Sequence, residues 1–144
     1  MKGLVHIYEG TGKGKSTAGV GLTIRCAGNG FPVVYSQFLK DGTTGEMNIL
    51  RKIPNITVLV EEHHFGFSFL MTPEEKVEAK PAYTALFEKV KAAAVEQNAR
   101  LLVMDEMLDL CNAELIDTAM VVDFLKNRPE QLEVVMTGRN PKPE

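Results

Sequence analysis

The sequence is poor in the features that mark several specialised classes of protein. Its 144 residues include only two cysteines, Cys26 and Cys111, and their spacing matches no zinc-ligand pattern. Both lie in apolar stretches expected to be helical, which indicates buried thiols in a reducing compartment. No apolar run approaches the ~20 residues that cross a bilayer, and no signal peptide precedes the first expected strand. We therefore expect a cytoplasmic protein that does not span a membrane.

Positive charge is also scarce. Lys and Arg number 16 against 19 Asp and Glu, and the formal net charge of −3 argues against a general nucleic-acid binder. No repeat, low-complexity block or interdomain linker interrupts the chain. A hydrophobic fraction of 44% and a charged fraction of 24% are typical of a soluble globular protein. The length suits one domain spanning residues 1–144.

What the sequence does contain is a glycine-rich segment between a short apolar run and a helix-like stretch. Residues 9–17 read EGTGKGKST and follow the phosphate-binding pattern G-x-x-x-x-G-K-[ST], except that Glu9 replaces the first glycine. Glycines at 10, 12 and 14 let backbone N–H groups turn inward as an anion-binding nest, and the following helix adds the positive end of its dipole. In this pattern Lys15 reaches the outer phosphates and the Ser16 hydroxyl ligates Mg2+. The segment predicts a nucleoside-triphosphate site.

The rest of the chain alternates short apolar runs with helix-like segments. The expected strands are residues 4–8, 33–38, 56–60, 100–104 and 132–136, and the expected helices are residues 18–27, 46–52, 81–97 and 116–125. A good helix start at Thr72 is followed by Pro81, so the regular helix is expected to begin only at about residue 81. The alternation predicts an α/β fold with a mostly parallel sheet flanked by helices on both faces.

A second motif stands at the end of the fourth expected strand. Four apolar residues lead into Asp105 and Glu106, and an acid in this position is the companion of a phosphate loop that holds Mg2+ directly or through water. Consecutive strand residues point in opposite directions, so the two acids are expected to have different roles. The sequence does not say which acid faces the metal. Because ligands of parallel sheets bind at the carboxyl ends of the strands, the acids, the phosphate loop and the Thr137-Gly138-Arg139 turn are expected on one edge.

Residues 61–71 form an irregular segment with two adjacent histidines and three phenylalanines. The histidine pair lacks the further ligands of a metal site. Phe65, Phe67 and Phe69 alternate with Gly66 and Ser68, so a strand here would project all three rings on one side. Two interpretations stay open at this point, namely ordinary core packing and an apolar wall over a flat ligand.

Together these motifs resemble the ATP:corrinoid adenosyltransferases, a family with a RecA-like phosphate-loop fold. The resemblance covers nearly the whole chain and includes the missing first glycine of the loop. The segments that carry it are GTGKGKST at 10–17, Arg25, QFLK at 37–40, GEMN at 45–48, GFSF at 66–69, VMDE at 103–106, NRP at 127–129 and MTGR at 136–139. It implies a P-loop NTPase sheet from which the usual C-terminal strand of the family is missing, since the sequence stops at Glu144.

The resemblance implies an unusual use of ATP. The Co(I) form of a corrinoid attacks the ribose 5′ carbon, and the products are an adenosylcorrinoid and inorganic triphosphate, in adenosylcobalamin synthesis or salvage. The implied catalytic residues are Lys15, Glu106, Phe67 and Phe69. The implied nucleotide contacts are Gly10, Thr11, Gly12, Lys13, Gly14, Lys15, Ser16, Thr17, Arg25 and Arg139. Mg2+ is expected at Ser16, Glu106 and Asp105, with Glu106 matching the metal-binding glutamate of the family.

Two phenylalanines match family positions that act on the corrinoid. Phe67 and Phe69 stand where aromatic residues displace the lower ligand of cob(II)alamin, which makes Co(II) easier to reduce. The second position is often tryptophan, and Phe69 keeps its apolar face without its N–H. The resemblance further implies a flavoprotein that supplies the electron, and a homodimer.

Two other functions are compatible with the same residues. A phosphate-loop ATPase or nucleotide kinase would use Glu106 to polarise water or an acceptor hydroxyl, and it would release ADP. A chain that stops at Glu144 is also compatible with a non-catalytic carrier or regulator that binds ATP or a corrinoid. The phosphate products separate these functions, because only adenosyl transfer releases triphosphate.

Overall fold

The computed structural model describes residues 3–9, 15–39, 45–61 and 72–138. In chain order, the elements within them are β1 Val5–Glu9, α1 Lys15–Gly28, β2 Val33–Gln37, α2 Gly45–Leu50, β3 Ile56–Val60, α3 Pro73–Glu96, β4 Leu101–Asp105, α4 Met107–Asn112, α5 Thr118–Asn127 and β5 Glu133–Gly138. None of these helices is both long enough and apolar enough to cross a membrane.

The five strands form a parallel sheet in the order β1-β5-β4-β2-β3. This confirms the α/β fold with a parallel sheet that the alternating pattern predicts. The strand that leads into the glycine-rich segment, β1, lies at one edge, and β5 separates it from β4, the strand that ends in Asp105. All five carboxyl ends therefore meet at one edge of the sheet.

Helices cover both faces of the sheet, as predicted. On one face, Tyr35 and Val103 belong to an apolar layer packed against α1 and α2. On the other face, Val34 and Leu102 belong to a layer packed against α3, α4 and α5. Neighbouring residues of a strand enter opposite layers because successive side chains point to opposite faces.

Helix α3 corrects one prediction. It runs without interruption from Pro73 to Glu96 and passes through Pro81. It starts with the predicted capping box, in which the Glu75 N–H donates to Thr72 Oγ1 and the Thr72 N–H donates to the Glu75 carboxylate, both at 3.2 Å. Pro81 has no N–H to donate to the Val77 carbonyl four residues earlier. Both residues are exposed, Val77 to 74%. Water can satisfy that carbonyl, so the helix continues.

Helix α4 was not expected from the sequence. It is only six residues long and follows β4 directly, with Glu106 between them. Its last turn carries Cys111, which is buried as predicted, whereas Cys26 on α1 is only half-buried. The prediction of a buried thiol is therefore correct for Cys111 and wrong for Cys26.

Candidate active site

Three buried polar side chains lie side by side at the carboxyl end of the sheet. Gln37, Asp105 and Thr137 have no exposed surface. Gln37 pairs with Asp105 across β2 and β4. The pairing of Met104 with Met136 puts Thr137 at the same level on β5. Burial of such groups is costly unless they are hydrogen-bonded, and their concentration in one row marks this edge as the candidate site.

The row faces helix α1. On β4, Leu101 and Val103 pack in the layer that α1 and α2 cover, and Asp105 follows them at the same two-residue spacing. Helix α1 begins at Lys15, so its N terminus follows the carboxyl end of β1. The positive end of the helix dipole and the buried Asp105 side chain therefore lie on the same face and at the same edge of the sheet.

Thr137 connects the two acids that follow one another at the end of β4. Its hydroxyl donates a hydrogen bond to Asp105 Oδ1 at 2.6 Å and accepts one from the Glu106 backbone N–H at 2.9 Å. Because an N–H group can only donate, the hydroxyl proton must point to Asp105. A length of 2.6 Å is typical of a charge-assisted bond to an ionised carboxylate. One oxygen of Asp105 is thus fixed in place from β5.

Glu106 leaves the strand in the left-handed region, with φ 66° and ψ 14°. Its half-buried side chain therefore does not continue the strand alternation on which the sequence argument relied, and α4 begins at the next residue. Gly138 presses against the start of that helix, since a Cβ on Gly138 would lie 2.5 Å from Leu108 Cβ. Strand β5 thus holds the acid-bearing turn in two ways, by hydrogen bonds at Thr137 and by close packing at Gly138.

A third carboxylate reaches the same edge from α2. Glu46, in the first turn of that helix, accepts a hydrogen bond from Gln37 Nε2 at 3.3 Å. Tyr35 is fully buried two residues before Gln37 on the same face of β2. Burial, and then the charges of Asp105 and Glu46, raise the pKa of Tyr35 well above the ordinary tyrosine value. Negative charge is therefore concentrated around this end of the sheet.

The donors at this edge fit a magnesium ion that is shared with a nucleotide. Among the residues that the structure describes, no cluster of three or more His, Cys, Asp or Glu side chains is placed to hold a metal by itself. Mg2+ in nucleotide sites binds through one or two carboxylates, together with phosphate oxygens and water. Asp105 and Glu106 supply hard oxygen donors of that kind, at the edge where α1 begins.

Comparison with known proteins shows the family to which the chain belongs. The sequence profile of the family described as ATP:corrinoid adenosyltransferase BtuR/CobO/CobP matches residues 1–144. The chain belongs to this family. It is 32% identical to a corrinoid adenosyltransferase of Sinorhizobium sp over 143 residues, which cover 98% of this chain and 66% of the relative. The corrinoid adenosyltransferase of Escherichia coli is 28% identical over 140 residues, which cover 96% of this chain and 68% of that protein.

A corrinoid adenosyltransferase of Pseudomonas aeruginosa is also similar to this chain over nearly its whole length. It is 27% identical over 143 residues, which cover 99% of this chain and 69% of the relative. The chain therefore matches these adenosyltransferases almost from end to end while spanning only about two thirds of their length.

Three of the residues predicted to contact the nucleotide lie in helix α1 at this edge. Lys15, Ser16 and Thr17 form the first turn of α1, on the sheet face that carries Asp105. The other predicted site residues lie outside the described part of the chain, and they are Gly10, Thr11, Gly12, Lys13, Gly14, Phe67, Phe69 and Arg139.

Arg25 stands apart from the acid pair. It lies in the last turn of α1, which is about 15 Å along the helix axis from Lys15 at 1.5 Å per residue. There it lines a groove of about 290 Å3 near the amino end of β5, together with Cys26, Phe31 and Glu133. The structure does not bring Arg25 to the edge where Asp105 lies, and its contact with the nucleotide stays a prediction.

Three residues of the site had no role assigned from the sequence. Gln37, Glu46 and Thr137 belong to the segments QFLK, GEMN and MTGR that carry the family resemblance. Gln37 lies at the end of an expected strand and Thr137 directly follows one, which is a signal that could have found them, whereas Glu46 lies at the start of an expected helix. The alignment of Gln37 and Thr137 with Asp105 in one row depends on the strand order, which the sequence pattern does not specify.

Proposed function

We propose that the protein transfers the 5′-deoxyadenosyl group of ATP to the Co(I) ion of a corrinoid and releases inorganic triphosphate. One observation carries the proposal. The chain matches the adenosyltransferase family over residues 1–144, and its buried, hydrogen-bonded Asp105 lies at the edge of the sheet where helix α1 begins, directly after the glycine-rich segment. ATP and the corrinoid are both substrates in this reaction.

We assign the triphosphate of ATP to residues 10–17 and to the N terminus of α1. The loop sequence supplies glycine N–H donors, and Lys15 supplies the cation for the outer phosphates. Helix α1 is 14 residues long, so its N terminus carries the positive partial charge that favours an anion. This assignment makes the chain a P-loop protein of the RecA-like type.

Mg2+ is the metal that this donor set would hold, through Ser16, Asp105 and Glu106. Bound there, it would neutralise charge on the triphosphate. Glu106 is half-buried, which suits direct contact with a metal, whereas Asp105 is fully buried and bonded to Thr137, which suits contact through water. Asp105 and Glu106 then have different roles, as the sequence predicts. The reason is their different burial and hydrogen bonding, and not the alternation of side chains along a strand.

The chemistry depends on positioning more than on proton transfer. The Co(I) ion donates an electron pair to C5′, a Co–C bond forms, and the C5′–O bond breaks with its electron pair leaving on the triphosphate. No proton moves in this step, so no side chain acts as a general base. The protein must align C5′ with the cobalt and stabilise the charge that develops on the leaving triphosphate. We assign the second task to Lys15 and the backbone N–H groups of the loop.

The corrinoid side of the reaction is assigned to Phe67 and Phe69. We propose that their rings displace the lower ligand of Co(II), and that a flavoprotein then supplies the electron that gives Co(I). Loss of an axial donor lowers the energy of the acceptor orbital, which eases reduction. By the same family resemblance, we propose that the active protein is a homodimer.

The proposed function is tested with Mg-ATP and a chemically reduced corrinoid. The cobalt spectrum should change to that of an alkylcorrinoid while triphosphate accumulates in equal amount. Lys15→Ala should abolish turnover while the far-ultraviolet circular dichroism and the urea midpoint stay close to those of the wild type. Release of ADP would instead identify an ATPase or kinase, and binding of both substrates without any product would identify a carrier or regulator.

A further inference from the structure

The hydroxyl of Thr137 differs from the other buried serine and threonine hydroxyls that the structure describes. Thr23 Oγ1 donates to the Gly19 carbonyl at 2.9 Å, and Ser36 Oγ donates to the Val103 carbonyl at 2.7 Å. Both of these bonds go to backbone carbonyl groups, within α1 for Thr23 and across from β2 to β4 for Ser36. Thr137 instead donates to a carboxylate, Asp105, and it does so without any exposed surface.

The two bonds of Thr137 act on both acids at once. The bond to Oδ1 fixes the direction in which the Asp105 carboxylate is presented. The bond from the Glu106 N–H holds the backbone of a residue in the left-handed region, a conformation that costs free energy for any residue with a side chain. Loss of the hydroxyl would leave a buried carboxylate oxygen and a backbone N–H without this partner.

We propose that Thr137 is the positioning residue of the metal and triphosphate site. Its hydroxyl orients Asp105 and holds the turn from which Glu106 reaches the metal. The proposal rests on the proposed function, because it takes Mg-ATP as the ligand of the acid pair. Thr137 itself contacts neither substrate, so its effect passes through the two acids.

The proposal predicts a loss that depends on Mg2+. Residues that orient metal ligands typically change metal affinity or activity by about 10- to 100-fold when replaced. We therefore expect Thr137→Val to weaken Mg-ATP binding by about tenfold while ATP binding in the presence of a chelator stays close to wild type. Thr137→Ser, which keeps the hydroxyl, should restore Mg-ATP affinity to within a factor of about two.

The test uses titration calorimetry of the whole chain with ATP, once with Mg2+ and once with chelator. Thr23→Val is the matched control, because it also removes a buried threonine hydroxyl but one bonded to a helix carbonyl. Thr137→Ala is measured alongside Thr137→Val and leaves room for a water, in case the valine variant does not fold. The hydrogen-exchange rate of the Glu106 backbone N–H is a second measurement that does not depend on ATP. This rate should rise in Thr137→Val and return to the wild-type value in Thr137→Ser.

The possible results separate the proposal from the function on which it rests. Equal loss of ATP affinity with and without Mg2+, or wild-type Mg-ATP affinity in Thr137→Val and Thr137→Ala, would overturn the positioning role. The same conclusion follows if Thr23→Val shows the same Mg2+-dependent loss. A wild-type protein that binds no Mg-ATP at all would instead overturn the proposed function.

Discussion

Replacement of Gly138 by alanine tests how tightly β5 holds the acid-bearing turn. Gly138 has φ 146°, and its new Cβ would meet Leu108 Cβ at 2.5 Å and the Asp109 backbone nitrogen at 3.0 Å. A backbone conformation that disfavours side chains costs about 1–3 kcal/mol, and overpacking of a filled region adds about 1–3 kcal/mol. We therefore expect Gly138→Ala to lower the free energy of unfolding by about 2–6 kcal/mol.

Gly21 is the matched control for this substitution. It lies in the interior of α1, and a Cβ there would meet no heavy atom within 4 Å. Because alanine is better than glycine in a helix interior by about 0.5–1 kcal/mol, Gly21→Ala should stabilise the protein. The same replacement is thus expected to have opposite signs at the two positions.

Urea denaturation followed by circular dichroism measures both variants. With a slope of about 2 kcal/mol per molar urea, Gly138→Ala should lower the midpoint by about 1–3 M, whereas Gly21→Ala should raise it slightly. The alanine at 138 should also weaken Mg-ATP binding, because α4 must shift and the turn at Glu106 shifts with it. A midpoint for Gly138→Ala equal to that of the wild type would refute the close-packing argument.

Three further substitutions probe other parts of the molecule. Burial raises the pKa of the Tyr83 hydroxyl to about 12, so the unfolded chain loses this proton first as the pH rises above about 10. Between pH 9 and pH 11 the wild type should therefore lose about 1 kcal/mol more stability than Tyr83→Phe. Equal losses in the two proteins would contradict the raised pKa of Tyr83. Pro81→Ala should raise the free energy of unfolding by about 1–2 kcal/mol, since it restores a helical N–H, and a lower urea midpoint would show that reasoning to be wrong. Phe67→Ala should slow adenosylation that starts from Co(II) far more than adenosylation of free Co(I), and similar losses in both assays would argue against a role in ligand displacement.

The layout of the sheet was largely predictable from the sequence. The apolar runs that became β1, β2, β3, β4 and β5 lie within two residues of their predicted limits, because continuous apolar runs between turn residues are typical of strands buried on both faces. The edge that carries Asp105 was predictable for the same reason, since parallel strands share one carboxyl end. The helices were less predictable, since α4 was not expected at all. The path of α3 through Pro81 depends on an exposed carbonyl at Val77, and exposure follows from the tertiary fold.

The internal geometry of the site was not predictable. The backbone conformation of Glu106 is stabilised by Thr137, which lies 31 residues further along the chain, and α4 is pressed into place by Gly138. Both contacts exist because β5 lies next to β4, and the strand order is set by packing rather than by local pattern. The distance of Arg25 from Lys15, by contrast, follows from helix geometry alone once α1 is known to be continuous.

The central claim is that the bond broken in ATP is the one between C5′ and oxygen. ATP labelled with carbon-13 at C5′ tests this claim most directly, when it is mixed with the protein, Mg2+ and a Co(I) corrinoid and followed by carbon and phosphorus magnetic resonance. The account predicts a labelled carbon bound to cobalt and inorganic triphosphate, formed in equal amounts. Labelled ADP, with the C5′–O bond intact, would contradict it.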